Sequence, residues 1–239
     1  VVLRKNDIKK PILVLGCIFP DQWEAMIENE VRMTTYTVEM AKGVSNLAVK
    51  MGKDAYIHIK LDTGMSRLGF QIHEDSVDAI EEISKMPGLK LEGMFTHFAK
   101  ADETDKAYTD VQIGKYNYMR DELKKRGVTF PIYHCSNSAG IIDIKKANMD
   151  LVRAGISIYG LYPSEEVEKK NVPLRPAMEL ISHVISAGRQ VILLIPEISL
   201  TWQTVMRFYL RFGDRVSVLN SRMSAGERFD QYERARTGN

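Results

Sequence analysis

From Pro11 to Gly160 the chain alternates short β-branched runs with stretches whose apolar residues recur at helical spacing. The runs predict strands at ILVLG (12–16), VRMTTYT (31–37), AYIHIKLDT (55–63), LEGMFTH (91–97), PIYHCS (131–136) and LVRAGISIYG (151–160). Between the second and third, Val44, Leu47, Ala48 and Met51 fall at i, i+3, i+4, i+7, and Gly52 supplies a C-terminal stop. Val77, Ile80, Ile83 and Met86 repeat that stripe ahead of Pro87. A long helix is expected from about Asp105 to Arg126, ending at Gly127. Strands alternating with helices predict βα units and a parallel sheet. Six strands in about 150 residues match the pitch of a (β/α)8 barrel, which takes about 250, so about two strands' worth of a full barrel is expected to be missing. A doubly wound sheet shares this alternation. The polar residues separate the two: Lys60 to Arg67, His97, Ser136 to Ser138 and Arg153 to Gly155 sit at predicted C-terminal strand ends, where a barrel gathers its site. An open sheet would concentrate them at one switch point. The expected fold class is therefore α/β, an incomplete (β/α)8 TIM-type barrel.

After Ser186 the pattern changes. VILLIP (191–196) and VSVL (216–219) predict strands flanking a helix from Thr201, with Val205, Phe208, Tyr209 and Phe212 on one face and Gly213 at its end. A charged helix follows from about Ala225. One βαβ unit of about 50 residues is short of a self-sufficient core. Charge reinforces the division. Up to residue 185 there are 18 Lys and 7 Arg against 26 acids; beyond it there are 8 Arg, no Lys and 5 acids. Either a local demand for guanidinium forks or the meeting of two coding histories accounts for this. Composition is otherwise that of an ordinary globular protein, with 44% hydrophobic and 27% charged residues. No run approaches the ~20 apolar residues of a bilayer-spanning helix, and VVLRKNDIKKP has no apolar core of a signal peptide. The expectation is a soluble cytoplasmic protein with no membrane partner, and the initial valine is read as a missing beginning. Cys17 and Cys135 are too few for a disulfide framework and are expected to be buried free thiols.

Candidate chemistry lies on the last two predicted barrel strands. SNSAG (136–140) puts hydroxyls and backbone N–H groups at the start of a helix, and RAGI (153–156) adds a small-residue turn. Barrels commonly hold phosphate at such loops. Serine and asparagine also cap helices at this spacing, so the residues alone leave both readings open.

Five segments in order carry a resemblance: HIKLDTGMSRLGF (58–70), GMFTHFAKADE (93–103), YHCSNSAGII (133–142), LVRAGISIYGLYPS (151–164) and LRPAMELISHVI (174–185). Residues 1–185 resemble the barrel domain of alanine racemases. These are pyridoxal 5'-phosphate (PLP) enzymes that interconvert L- and D-alanine for cell-wall precursor supply. The resemblance implies that Arg67 bonds the cofactor's phenolic oxygen near the substrate carboxylate, and that Lys60, carbamylated in many members, braces Arg67. It implies His97 against the pyridine ring and Arg153 at the ring nitrogen, with Asn137, Ser138, Gly155 and Ile156 on the phosphate. An arginine there cannot give up its proton, so the ring is a weaker electron sink and simple α-proton exchange is favoured. Racemisation then needs two bases on opposite faces.

In the family the Schiff-base lysine belongs to a first-strand motif like VKANAYGHG, and the opposing tyrosine to a C-terminal β-domain contributed across a homodimer. Neither motif occurs in residues 1–239. Lys60 and Arg67 are left in supporting roles. Binding of PLP is expected to be weak and non-covalent, activity on alanine absent or residual, and the normal dimer not to form.

Residues 188–232 resemble a different family, the core of the primosomal replication-restart helicase, at PEISLT and SxxSxxER. The GxxxxGK[ST] phosphate loop and the acidic magnesium motif are absent, and Asn220 replaces a common histidine. Arg207, Arg211, Arg215 and Arg222 could meet nucleic-acid phosphates or line a solvated helix face. The expected domains are 1–185, a partial PLP-binding barrel, and 186–239, a small βαβ helicase-core fragment, together a chimera.

Overall fold

The computed structural model describes residues 1–177, 202–218 and 223–237. Two compact units are present, Val1–Glu179 and Leu180–Asn239.

In the first unit five parallel strands pair in chain order: β1 (Ile12–Val14), β2 (Val31–Thr35), β3 (Ala55–Lys60), β4 (Leu89–Phe95) and β5 (Ile132–His134). The order never reverses. That excludes a doubly wound sheet, whose strand order turns back at a switch point, and leaves a curled parallel half-barrel consistent with an incomplete TIM-type barrel. The helices are α1 (Val2–Lys5), α2 (Trp23–Glu28), α3 (Val38–Met51), α4 (Glu74–Ser84), α5 (Ala107–Lys125) and α6 (Ser138–Asp143).

Local chemistry fixes these boundaries. Thr37 is extended and its side chain accepts the Met40 N–H at 3.1 Å, capping α3, a contact worth about 1 kcal/mol. Gly52, at φ 63°, ends that helix in the left-handed region. The predicted stripes face inward: Val44 and Ala48 of α3 and Val77, Ile80 and Ile83 of α4 are fully buried. They pack with Tyr116, Met119 and Leu123 of α5 against Ile57, Ile59 and Met94 of the sheet. Successive strand side chains point to opposite faces, so His58 and Lys60 turn to the face away from the helices.

Two strand expectations are corrected. Residues 151–160 form no strand. Asp150 and Arg153 still donate backbone N–H bonds to Tyr133 and Ser136, both at 3.0 Å, but the ladder stops there. Ser138 Oγ takes the Gly155 and Ser157 N–H groups at 2.9 and 3.3 Å, and Ile156–Tyr159 wind into a 3-10 turn. A hydroxyl thus captures donors that a strand would send to a neighbour. The expected strand at 216–219 is also missing over 216–218, where Val218 N–H is taken by Gln231 Oε1 at 3.2 Å.

The second unit contains α7 (Trp202–Phe212) and α8 (Ala225–Thr237). Val205, Phe208, Tyr209 and Phe212 are half-buried on α7, and Gly213 follows at φ 59°. Ser224 and Glu227 exchange reciprocal bonds at the start of α8. The strand expected at VILLIP lies outside the described residues, as do PEISLT, Arg222 and residues 178–185. Among the described residues no helix is long and apolar enough to cross a membrane. Of the two free cysteines only Cys135 is buried; Cys17 is exposed and accepts the Tyr36 hydroxyl at 2.8 Å. The expectation of two buried thiols is corrected on that point.

Candidate functional site

Beyond β3 the chain closes a loop on itself. Phe70 N–H returns to Lys60 O at 2.8 Å and Asp62 N–H to Phe70 O at 2.9 Å. The Asp62 carboxylate fills the centre, accepting Gly64, Ser66 and Arg67 N–H groups at 3.0 Å each. Burial alone would raise its pKa, but these three donors and the Lys60 charge outweigh it and hold Asp62 below the ordinary carboxylate value. Gly69 is required here: φ is 136°, and a Cβ would stand 2.5 Å from Asp62 N and 2.6 Å from Leu61 C. Tyr108 hydroxyl pins the loop by donating to Gly64 O at 2.9 Å. The product is an exposed Arg67 carried on a fixed backbone.

Beside this loop lies a cluster of basic side chains, of which Lys60 is buried and His97 and Arg153 are half-buried. Lys60, 2% exposed, donates to Leu61 O at 2.7 Å and stands 5.4 Å from the centre of the Phe95 ring. Its amine is pushed down to about 8, first by burial and further by the charges of Arg153 and Arg67, against the pull of Asp62. Half-buried His97 is pushed down to about 4 by burial and by Arg153, Arg67 and Lys60, so it is neutral at pH 7. These four residues, predicted from three separate segments, share one electrostatic neighbourhood.

Arg153 is the most connected of them. Nη2 donates to Thr96 O at 2.6 Å and Cys135 O at 2.8 Å, and Nη1 to His134 Nδ1 at 2.7 Å. Its Cζ lies 5.2 Å from the Phe95 ring centre, and Phe95 stacks on His134 at 4.6 Å. Burial brings its pKa to about 10, which still leaves it charged. The hydrogen bonds continue from His134 Nε2 to His58 Nδ1 at 2.9 Å, and from His58 Nε2 to Glu92 Oε2 at 3.0 Å. Arg32 grips Glu92 with Nε at 2.9 Å and Nη2 at 3.0 Å.

The turn residues assemble next to Arg153. Asn137 caps α6 by accepting Gly140 N–H at 3.0 Å, and its amide lies 3.4 Å from Phe98 O. Buried Ser138 clasps Gly155 and Ser157 as described, with Ser157 Oγ 3.1 Å away. Gly155 and Ile156 are exposed at the rim. Capping and anion binding, alternatives in the sequence, coexist: the cap shapes a turn whose outer side is open.

All eight predicted residues thus gather at the C-terminal ends of β3, β4 and β5 and the turn beyond them. Two buried polar atoms there, Arg153 Nε and Ser136 Oγ, have no hydrogen-bond partner in the structure. An unpaired buried donor is costly, and a donor beside a cationic cluster fits an anionic, acceptor-bearing guest such as a phosphorylated pyridine. Among the described residues no group of His, Cys, Asp and Glu could hold a metal ion. Asp62, His58, His134, Glu92 and Thr96 were missed by sequence reasoning. The signal available for His58 was its alternation with Lys60, two residues apart on one strand face.

Fold and site define a parallel-barrel domain with its chemistry at the strand C-terminal rim. The model for "Alanine racemase, N-terminal domain" matches residues 1–163, and the chain belongs to that family. The alanine racemase of Methanococcus maripaludis is 44% identical over 185 residues, covering 76% of this chain and 50% of that protein. A structure of alanine racemase from Clostridium difficile 630, in complex with cycloserine, superposes with a TM-score of 0.73 at 46% identity, covering 74% of this chain and 48% of that one. The Bacillus anthracis enzyme with bound L-Ala-P gives 0.68 at 34% identity, covering 74% and 46%. The chain spans about half the length of the curated relatives it matches.

Proposed function

We propose that residues 1–185 are the cofactor-holding part of a PLP-dependent alanine racemase. The observation that carries this reading is the buried, unpaired Nε–H of Arg153 inside the lysine, histidine and arginine cluster. When bound, PLP supplies the electron sink that stabilises charge at the α-carbon. This chain's residues do the rest of the holding. Ser138, Asn137, Gly155 and Ile156 take the phosphate. Arg153 presents a donor to the ring nitrogen and keeps its own proton, His97 lies against the ring as a neutral wall, and Arg67 meets the phenolic oxygen and the substrate carboxylate. With its amine near 8, Lys60 offers an appreciable neutral fraction at mildly alkaline pH, the form that carbon dioxide carbamylates to brace Arg67.

Residues 1–239 alone are not expected to racemise alanine, because neither a covalent anchor lysine in a VKANAYGHG-like motif nor the opposing tyrosine occurs in them. Titrating PLP into the chain, read by absorbance and fluorescence, should give saturable binding. Ser138→Ala should weaken it about tenfold, the loss of one well-placed bond. No spectral change with the unaltered chain at millimolar PLP defeats the reading.

Residues 186–239 are read as a helicase-like fragment on the strength of PEISLT and SxxSxxER. Exposed Arg207 and Arg211 stand one turn apart on α7, as a phosphate-contacting face requires. Retention of the chain on single-stranded DNA should fall steeply with salt; salt-independent or absent retention removes this second reading.

A further inference from the structure

A barrel interior is ordinarily filled by branched apolar side chains. Here the face of β2, β3, β4 and β5 turned from the helices carries a continuous polar chain: Arg32, Glu92, His58, His134 and Arg153. The far end, at Glu92, lies two histidines away from Arg153 and has been given no role in holding the cofactor.

The direction of every proton in this chain follows from its two ends. A guanidinium only donates, so His134 Nδ1, facing Arg153 Nη1 at 2.7 Å, is a bare acceptor. The proton of neutral His134 therefore sits on Nε2 and is donated to His58 Nδ1 at 2.9 Å. His58 Nδ1 is then bare, its proton is on Nε2, and it is donated to Glu92 Oε2 at 3.0 Å. Glu92 is held as a carboxylate, since the Arg32 and His58 bonds outweigh the burial that would raise its pKa. Both rings must be neutral. A second proton on His58 would point at the Nε2–H of His134. Burial depresses both imidazoles, in agreement. Gly93 makes the crossing possible, because a Cβ there would lie 2.3 Å from His58 Nδ1.

We propose that Glu92, anchored by Arg32, is a positioning residue for the cofactor site: it fixes the tautomers of His58 and His134 and thereby the orientation in which Arg153 presents its unpaired Nε–H. The proposal rests on the PLP reading for its functional consequence, though not for its geometry. Without the Glu92 acceptor the Nε2–H form of His58 is favoured from the Arg153 end alone and its buried Nε2–H has no partner, so the rival tautomer gains population. The rival tautomer turns a donor on His134, and Arg153 Nη1 loses its partner. The guanidinium stays in the pocket on Thr96 and Cys135, with its fork free to swing.

The test uses the full chain labelled with 15N-histidine, with His58→Asn and His134→Asn spectra for assignment. In the unaltered protein without cofactor both rings should be single Nε2–H tautomers. Glu92→Leu should give mixed tautomers at both rings and bind PLP about tenfold more weakly, with Glu92→Gln, which keeps an oxygen acceptor, restoring most of each. A protonated Nδ1 or a tautomer mixture in the unaltered chain overturns the proposal even if Glu92→Leu does not fold. So does an unaltered chain that binds PLP together with a Glu92→Leu variant that binds it equally well. Fixed tautomers with no PLP response in the unaltered chain would instead defeat the cofactor reading and, with it, the role of Glu92 there.

Discussion

Asp62→Ala is expected to lower the stability of the first compact unit by about 3 kcal/mol at neutral pH and to weaken PLP binding at least tenfold. Three backbone N–H groups converge on one carboxylate, and bonds to a charged acceptor contribute about 1.5–3 kcal/mol each. The sum is discounted because a released loop regains water. Arg67 follows the loop, since its own N–H is one of the three. The pH dependence has a definite sign. Asp62 is held below its ordinary 3.8 in the folded chain, so the unfolded chain binds its proton more readily. The stabilisation is complete above 3.8 and lost as the pH falls through the folded-state value. Urea midpoints of the parent and of Asp62→Ala should differ clearly near pH 7 and converge in acid. Asp62→Asn, which keeps an oxygen but not the charge, should fall between. Equal midpoints at neutral pH would mean that the loop is held by Gly69, Phe70 and Tyr108 alone.

That carboxylate was not visible as a structural element in the sequence, and the reason is physical. Strands β1 to β5 and helices α3, α4 and α5 were legible because burial of one face imposes a period on the residues, and the period survives in one dimension. The 61–70 loop has no period. Its order comes from one side chain meeting three amides and from Gly69 lying against Leu61 and Asp62. Residues 151–160 show the opposite failure. LVRAGISIYG has the composition of a strand, but a strand needs N–H groups free to reach a neighbour, and Ser138 Oγ takes those of Gly155 and Ser157, 17 and 19 residues further on. The eight candidate residues came from motif resemblance and lie together at the strand rim. The histidine relay behind them was not found, because His58, Glu92 and His134 stand on three strands and their meeting depends on a bulge near Ile57 and His58 and on the bare backbone of Gly93.

Arg153 is where loop, relay and turn converge, and its removal should have the largest effect. Arg153→Leu deletes donors to Thr96 O, Cys135 O and His134 Nδ1 at once. Each buried acceptor left unpaired costs about 1–3 kcal/mol. Against this stands the cost of burying the guanidinium, which its depression to about 10 records and which leucine escapes. The net expectation is a loss of about 3–5 kcal/mol, several times that of an ordinary surface substitution. Arg153→Lys keeps a charge but cannot reach two carbonyls and an imidazole with one tetrahedral ammonium, so it should recover less than half. The loss should also be selective. Thr96, Cys135 and His134 belong to the ends of β4 and β5, so hydrogen exchange there should accelerate more than in α3, whose contacts do not involve Arg153. Uniform acceleration would assign Arg153 a general electrostatic role. A Leu variant within about 1 kcal/mol of the parent would show that the fork does not hold these two strand ends together. A polar relay that orients an arginine has meaning only if that arginine is itself fixed at its other end, by the Thr96 and Cys135 carbonyls that directly follow β4 and β5.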